Sequence, residues 1–162
     1  MKRRLLFLFA VFMVGASVGW GQMIPTYYKV AVGTGGDGSS AGSPIYKANL
    51  EAALSDAALS SLDSVIILLP EGEYSANAAP YSITKSSLAI IGEGDTSTVT
   101  IKSPVDIELT NGGNVSFQKV HLTAKTSTGR GVVDIKSSKT TVSFSESKIT
   151  CLLYTSPSPR DA

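Results

Sequence analysis

From Val65 onward the chain is a succession of short apolar runs, each closed by a few polar residues. VIILL (65–69), YSIT (81–84), LAII (88–91), TVTI (98–101) and VDIEL (105–109) lead into VSF (115–117), VHLT (120–123), VVDI (132–135), VSF (142–144) and KIT (148–150). Runs this short, rich in β-branched residues and separated by Gly, Asn, Ser, Thr and Asp, predict strands joined by tight turns. Period-two alternation turns Val115, Phe117, Val142 and Phe144 to one face and Ser116 and Ser143 to the other. Val120 and Leu122 form a second apolar pair. At the equivalent later positions Ile149 fits that wall well and Ser147 poorly.

Upstream the pattern differs. YYKVAV (27–32) predicts an opening strand, and GTGGDGSSAGSP (33–44) a loop. The loop's glycines are not followed by GKS or GKT, so it is not a phosphate-binding loop. Leu50, Ala53, Leu54, Ala57 and Ala58 then recur at helical spacing, with Asn49 as N-cap, and predict one short amphipathic helix over 50–59. Its small apolar stripe suits packing on a sheet edge or on the end of a β structure. VIILLPEGEY follows, an apolar strand entering a Pro-Glu-Gly turn.

The β region repeats itself. VSFQKVHLT (115–123) superposes on VSFSESKIT (142–150) when Val115 is set on Val142. LAI (88–90) lies the same distance before the first VSF, and VDI (105–107) returns loosely as VVDI. Units of two or three strands that place like residues over like residues predict stacked coils, because one unit cannot bury its apolar face alone. A β-sandwich also has many short strands, but gives no reason for a regular period.

Two segments stand apart from this pattern. Residues 1–21 have a basic start, an apolar run from Leu5 to about Val18 and then small residues, the layout of a secretory signal peptide. The run is short for a membrane span of roughly 20 residues, so no stable span is expected after cleavage. Residues 151–162 read CLLYTSPSPRDA; they break the repeat and place Pro157 and Pro159 where another coil should build. Between them, residues 22–150 carry ten Lys and Arg against twelve Asp and Glu and no cysteine. That balance gives no reason to expect a nucleic-acid partner, and stability must come from packing rather than disulfides.

The order of opening strand, Gly/Ser loop, short helix, VIILLPEGEY and SLAIIGEG resembles the N-terminal end of right-handed parallel β-helix proteins of the pectate-lyase-like superfamily. The features that carry it are Tyr28–Val32, Leu50–Leu59, Val65–Leu69, the Pro70-Glu71-Gly72-Glu73-Tyr74 turn and Ile90-Ile91-Gly92. The resemblance implies an all-β solenoid whose first coil is capped by the helix. Residues 22–64 would be the strand, loop and cap, and residues 65–150 an incomplete β-helix of about three coils. That superfamily includes polysaccharide lyases and hydrolases as well as surface and adhesin-like proteins. Its lyases use acidic Ca²⁺ ligands beside an Arg or Lys base, and no such cluster can be matched here residue by residue. Residues 151–161 carry a resemblance of another kind, to translated sequencing-adaptor sequence, which marks them as a non-native tail and the chain as an N-terminal fragment.

Cleaving a polysaccharide requires paired carboxylates or an acidic metal cage beside a base. The best acidic constellation is Asp106 and Glu108, two apart on VDIEL, with Asp134 on the next coil and Arg130 nearby. Outward positions of amphipathic strands, solvated by water, explain these residues better than a Ca²⁺ or sugar site does. His121, the chain's only histidine, lies between two inward positions and should face solvent, without the companions a metal site needs. Glu71 and Glu73 flank a turn glycine as surface charges, Asp37 lies in a solvated turn, and Asn114-Val115-Ser116 fits a glycosylation acceptor. The sequence therefore assigns no catalytic residue, metal or cofactor. It leaves three readings: a secreted or cell-surface binding scaffold with a polysaccharide or cell-surface glycan as partner, the opening part of a polysaccharide lyase or glycoside hydrolase, and a small secreted structural protein.

Overall fold

The computed structural model describes residues 25–59, 64–76, 81–85, 87–103, 107–110, 112–124 and 132–151. Residues 1–24, Asp106, Arg130 and the residues beyond Cys151 lie outside them, and with them the expected signal peptide. In chain order the elements are β1 (Thr26–Val30), β2 (Ile45–Lys47), α1 (Leu50–Leu59), β3 (Val65–Leu69), β4 (Gly72–Ser75), β5 (Ser82–Ile83) and β6 (Ser87–Gly92). There follow β7 (Val99–Ser103), β8 (Ile107–Leu109), β9 (Gly113–Gln118), β10 (His121–Ala124), β11 (Val133–Ile135), β12 (Thr140–Ser145) and β13 (Lys148–Cys151).

All strand pairs are parallel, and the strands sort into three sheets. Sheet A runs β12-β9-β6-β3-β1-β2, sheet B runs β13-β10-β7-β4, and sheet C runs β11-β8-β5. Each circuit of the chain visits A, B and C in turn and then climbs one strand, which makes the protein a parallel β-helix.

Alternation turns apolar columns of each wall inward. In sheet A, Tyr28, Ile67, Ile90, Phe117 and Phe144 stack in register; in B, Tyr74, Ile101, Leu122 and Ile149; in C, Ile83, Leu109 and Ile135. The lower members of these columns form one continuous core with Val65, Leu88, Val99, Val115 and Val120. Sheet A extends two strands below B and C, and α1 fills that step, touching β1, β2 and β5. Leu50, Ala53 and Leu54 are buried there. Asn49 caps the helix as its sequence predicts, its Oδ1 accepting the Ala52 N–H at 2.7 Å.

The Val115-to-Val142 offset governs sheet A from β6 to β9 and from β9 to β12, where Val142 sits on Val115 and Phe144 on Phe117. It also holds from β10 to β13, where Thr150 sits on Thr123. It fails elsewhere. Thr100 pairs with His121 and Glu108 with Asp134, and both partners lie closer along the chain than that offset. The cause is a long connection at different corners of successive coils: Glu93–Thr98 between A and B in one, residues 125–132 between B and C in the next. These lengths compensate over a full circuit of sheet A but displace the register of B and C. The loose return of VDI as VVDI is therefore not a stacked pair, since Val133 sits on Ile107 and Asp134 on Glu108.

Two strands go beyond the sequence expectation. β2 occupies Ile45–Lys47 and pairs with β1, and the Pro-Glu-Gly turn leads at once into β4. Tyr74 closes that turn by donating its hydroxyl hydrogen to the Pro70 carbonyl at 2.6 Å, a local reason for the Pro-x-Gly-x-Tyr pattern. Cys151 continues β13 and pairs with Ala124.

Candidate functional site

Strand pairing sets the outward columns as firmly as the inward ones. On sheet B one column reads Glu73, Thr100, His121, Lys148, and its neighbour reads Ser75, Lys102, Thr123, Thr150. Every one of these eight side chains can hydrogen-bond, and all but Thr123, which is buried, reach the surface. Stacked strands repeat at roughly 4.8 Å, so the columns form a polar grid with that vertical spacing. Lys102 pairs with Glu73, and this bond is the main cause that holds the Glu73 carboxyl below its ordinary range. His121 Nε2 lies 2.9 Å from Thr150 Oγ1. Its pKa is lowered, first by loss of hydration and then by the charge of Lys148. His121 is half-buried within a bonded row on the outer face, close to its expected solvent-facing position.

Sheet C carries the carboxylates. Asp134 sits over Glu108, and Ser82 lies one coil below. Lys136, which the sequence reading passed over, reaches back between them, its Nζ 2.6 Å from Glu108 and 3.7 Å from Asp134. The signal for it was present, since Lys136 lies two positions beyond Asp134 and so shares its face. The arrangement is a cluster of two carboxylates around one ammonium on one wall. Among the described residues no group of three or more His, Cys, Asp and Glu gathers as metal ligands do.

The remaining candidates are committed to local structure. Asp37 accepts from the Ser39 N–H at 3.0 Å and the Ser39 hydroxyl at 2.6 Å, which lowers its pKa and shapes the Gly/Ser loop. Glu71 accepts from Thr98 Oγ1 at 3.3 Å. Asn114 is exposed at the lower end of β9. An open cleft of about 330 Å³ lies at the capped end, lined by Val30, Asn49, Leu50, Glu51, Tyr74 and Tyr81 among others. Burial, followed by the Glu51 charge, pushes the Tyr81 phenol well above its usual range, so it stays protonated. Among the described residues no helix is long and apolar enough to cross a membrane. Comparison of the chain with protein-family models, curated proteins and solved structures gives no match in any of the three.

Proposed function

We propose that this chain is the N-terminal part of an exported β-helix protein that works as a binding or adhesin-like scaffold, and that it presents the outer face of sheet B to a polysaccharide or cell-surface glycan. The observation that carries the reading is the pair of register-aligned polar columns. A glycan offers hydroxyl groups along an extended chain, and a rigid wall of Thr, Ser, Lys and His side chains can meet them repeatedly without reorganising. The acidic pair on sheet C supports a scaffold over an enzyme, because Glu108 and Asp134 share Lys136 rather than flanking an open position. The alternative, a lyase or hydrolase, needs a base and acid supplied by other coils.

The test is retention of the full chain on insoluble polysaccharides and a glycan panel, compared with Thr100→Val and Lys148→Gln. Loss of one hydrogen bond of about 1 kcal/mol lowers affinity roughly fivefold, and both variants should show such a loss with unchanged circular dichroism. Retention that both variants leave unchanged, or no retention at all, defeats the scaffold reading. Release of new reducing or unsaturated sugar ends supports the enzyme instead.

A further inference from the structure

One inward column of each wall ends in the same way. Ile135 on sheet C, Phe144 on A and Ile149 on B are 47, 42 and 47% exposed. The residues directly beneath them in register, Leu109, Phe117 and Leu122, are 0, 1 and 0% exposed. Each wall of the solenoid thus offers one bulky apolar side chain at the end opposite α1. Around them run the outer edges of β11, β12 and β13, each paired on one side only among the described residues. Single surface hydrophobics are ordinary. Three that continue three buried columns, ringed by open parallel edges, describe the lower half of a coil–coil interface.

We infer that this end face seats one further parallel coil of the same polypeptide. It would carry bulky apolar residues that stack on Phe144, Ile149 and Ile135, the first two met one Val115-to-Val142 offset further along the chain. Continuity with the existing interface selects this occupant over a second copy. Edges that have accepted the next strand in parallel at every earlier coil accept another in the same sense, whereas a second copy docked end to end would present antiparallel edges. Phe144 already stacks on Phe117 at 5.5 Å between centroids with a 10° interplanar angle, leaving its other ring face for the next layer. The inference rests on the N-terminal-part reading above but not on glycan binding, which a separate measurement reports.

The experiment inserts a second copy of residues 124–150 after Thr150 in the full chain. Ala124 already pairs with Cys151, so the copy enters the ladder in register. Amide hydrogen exchange over Thr140–Ser145 is the readout, because it senses whether β12 has gained a partner on its outer edge. Exchange slower by on the order of tenfold or more, with a higher Tm and a monomeric mass, is the expected result. A control copy with lysine in place of its own counterparts of Val142, Phe144 and Ile149 should lack the protection. Exchange that the first insertion leaves unchanged, or equal protection from the lysine copy, overturns the inference. So does a parent chain that already sediments as a dimer and falls to monomer on Phe144→Lys, which would make a second copy the occupant.

Discussion

At the corner between sheets A and B the backbone leaves little choice of residue. Gly92 does not need a positive φ, but a Cβ built on it would lie 2.1 Å from the Lys119 carbonyl oxygen of the coil above. Gly92→Ala must therefore push two coils apart, and a loss of about 2–4 kcal/mol in urea unfolding is expected. One and two coils on, the corner residues Lys119 (φ 53°) and Glu146 (φ 49°) adopt the left-handed conformation. That conformation costs a non-glycine residue about 1 kcal/mol or more, and asparagine tolerates it best. Lys119→Asn should accordingly stabilise the fold by about 0.5–1 kcal/mol, since the Lys119–Glu146 pair at 3.9 Å is solvent-exposed and contributes little. His121 supplies a pH signature. Its folded pKa lies below the 6.5 of a free histidine, so the unfolded chain binds the proton more readily. Its share of stability is complete above pH 6.5 and declines as pH falls through that value towards the folded pKa. Asp37 and Glu73, both depressed, give way only nearer pH 4. Thermal melts between pH 7.5 and 5.5 should show a decline in the parent that His121→Gln removes.

The elements differ in how openly the sequence announces them. α1 is announced twice, by its apolar spacing and by Asn49, and the cap bond makes Asn49→Ala cost about 1 kcal/mol while Asn49→Asp keeps the acceptor. Urea midpoints of the two variants check this. Sheet A is equally open, because Val115 and Phe117 recur as Val142 and Phe144 and the pairing follows that recurrence. Sheet C is not, because loop length enters its register and loops carry no periodic signal of their own. Glu108 and Asp134 were expected near each other and are in register; Lys136 shares the face of Asp134 by its spacing, but its reach to Glu108 shows only once Asp134 is seated on Glu108. β2 escaped notice because three residues, half-buried at a sheet edge, show no alternation to read. Ser147 looked like a fault in the second apolar wall. It is a bracket instead, its hydroxyl lying 2.9 Å from the Ser145 carbonyl, 3.1 Å from the Phe117 carbonyl and 3.4 Å from the Val120 N–H.

Across the whole molecule, a stack of coils distributes stability by position, since each coil gains from its neighbours and the last has only one. Phe117 and Phe144 make this measurable because they are the same residue, in the same column, in contact with each other. Phe117 is enclosed on all sides, and truncating it leaves a cavity that coils above and below cannot close; Phe117→Ala is expected to cost about 3–5 kcal/mol. Phe144 stacks on the ring beneath it and is 42% exposed, so Phe144→Ala should cost no more than about 1.5 kcal/mol in the same chain. The asymmetry should vanish once a coil is added above, where Phe144→Ala should approach the cost of Phe117→Ala. Paired unfolding curves of the two variants, in the parent chain and in the chain carrying the inserted coil, measure both differences. Equal costs in the parent chain would mean that Phe144 is already covered and that the end face is closed in solution.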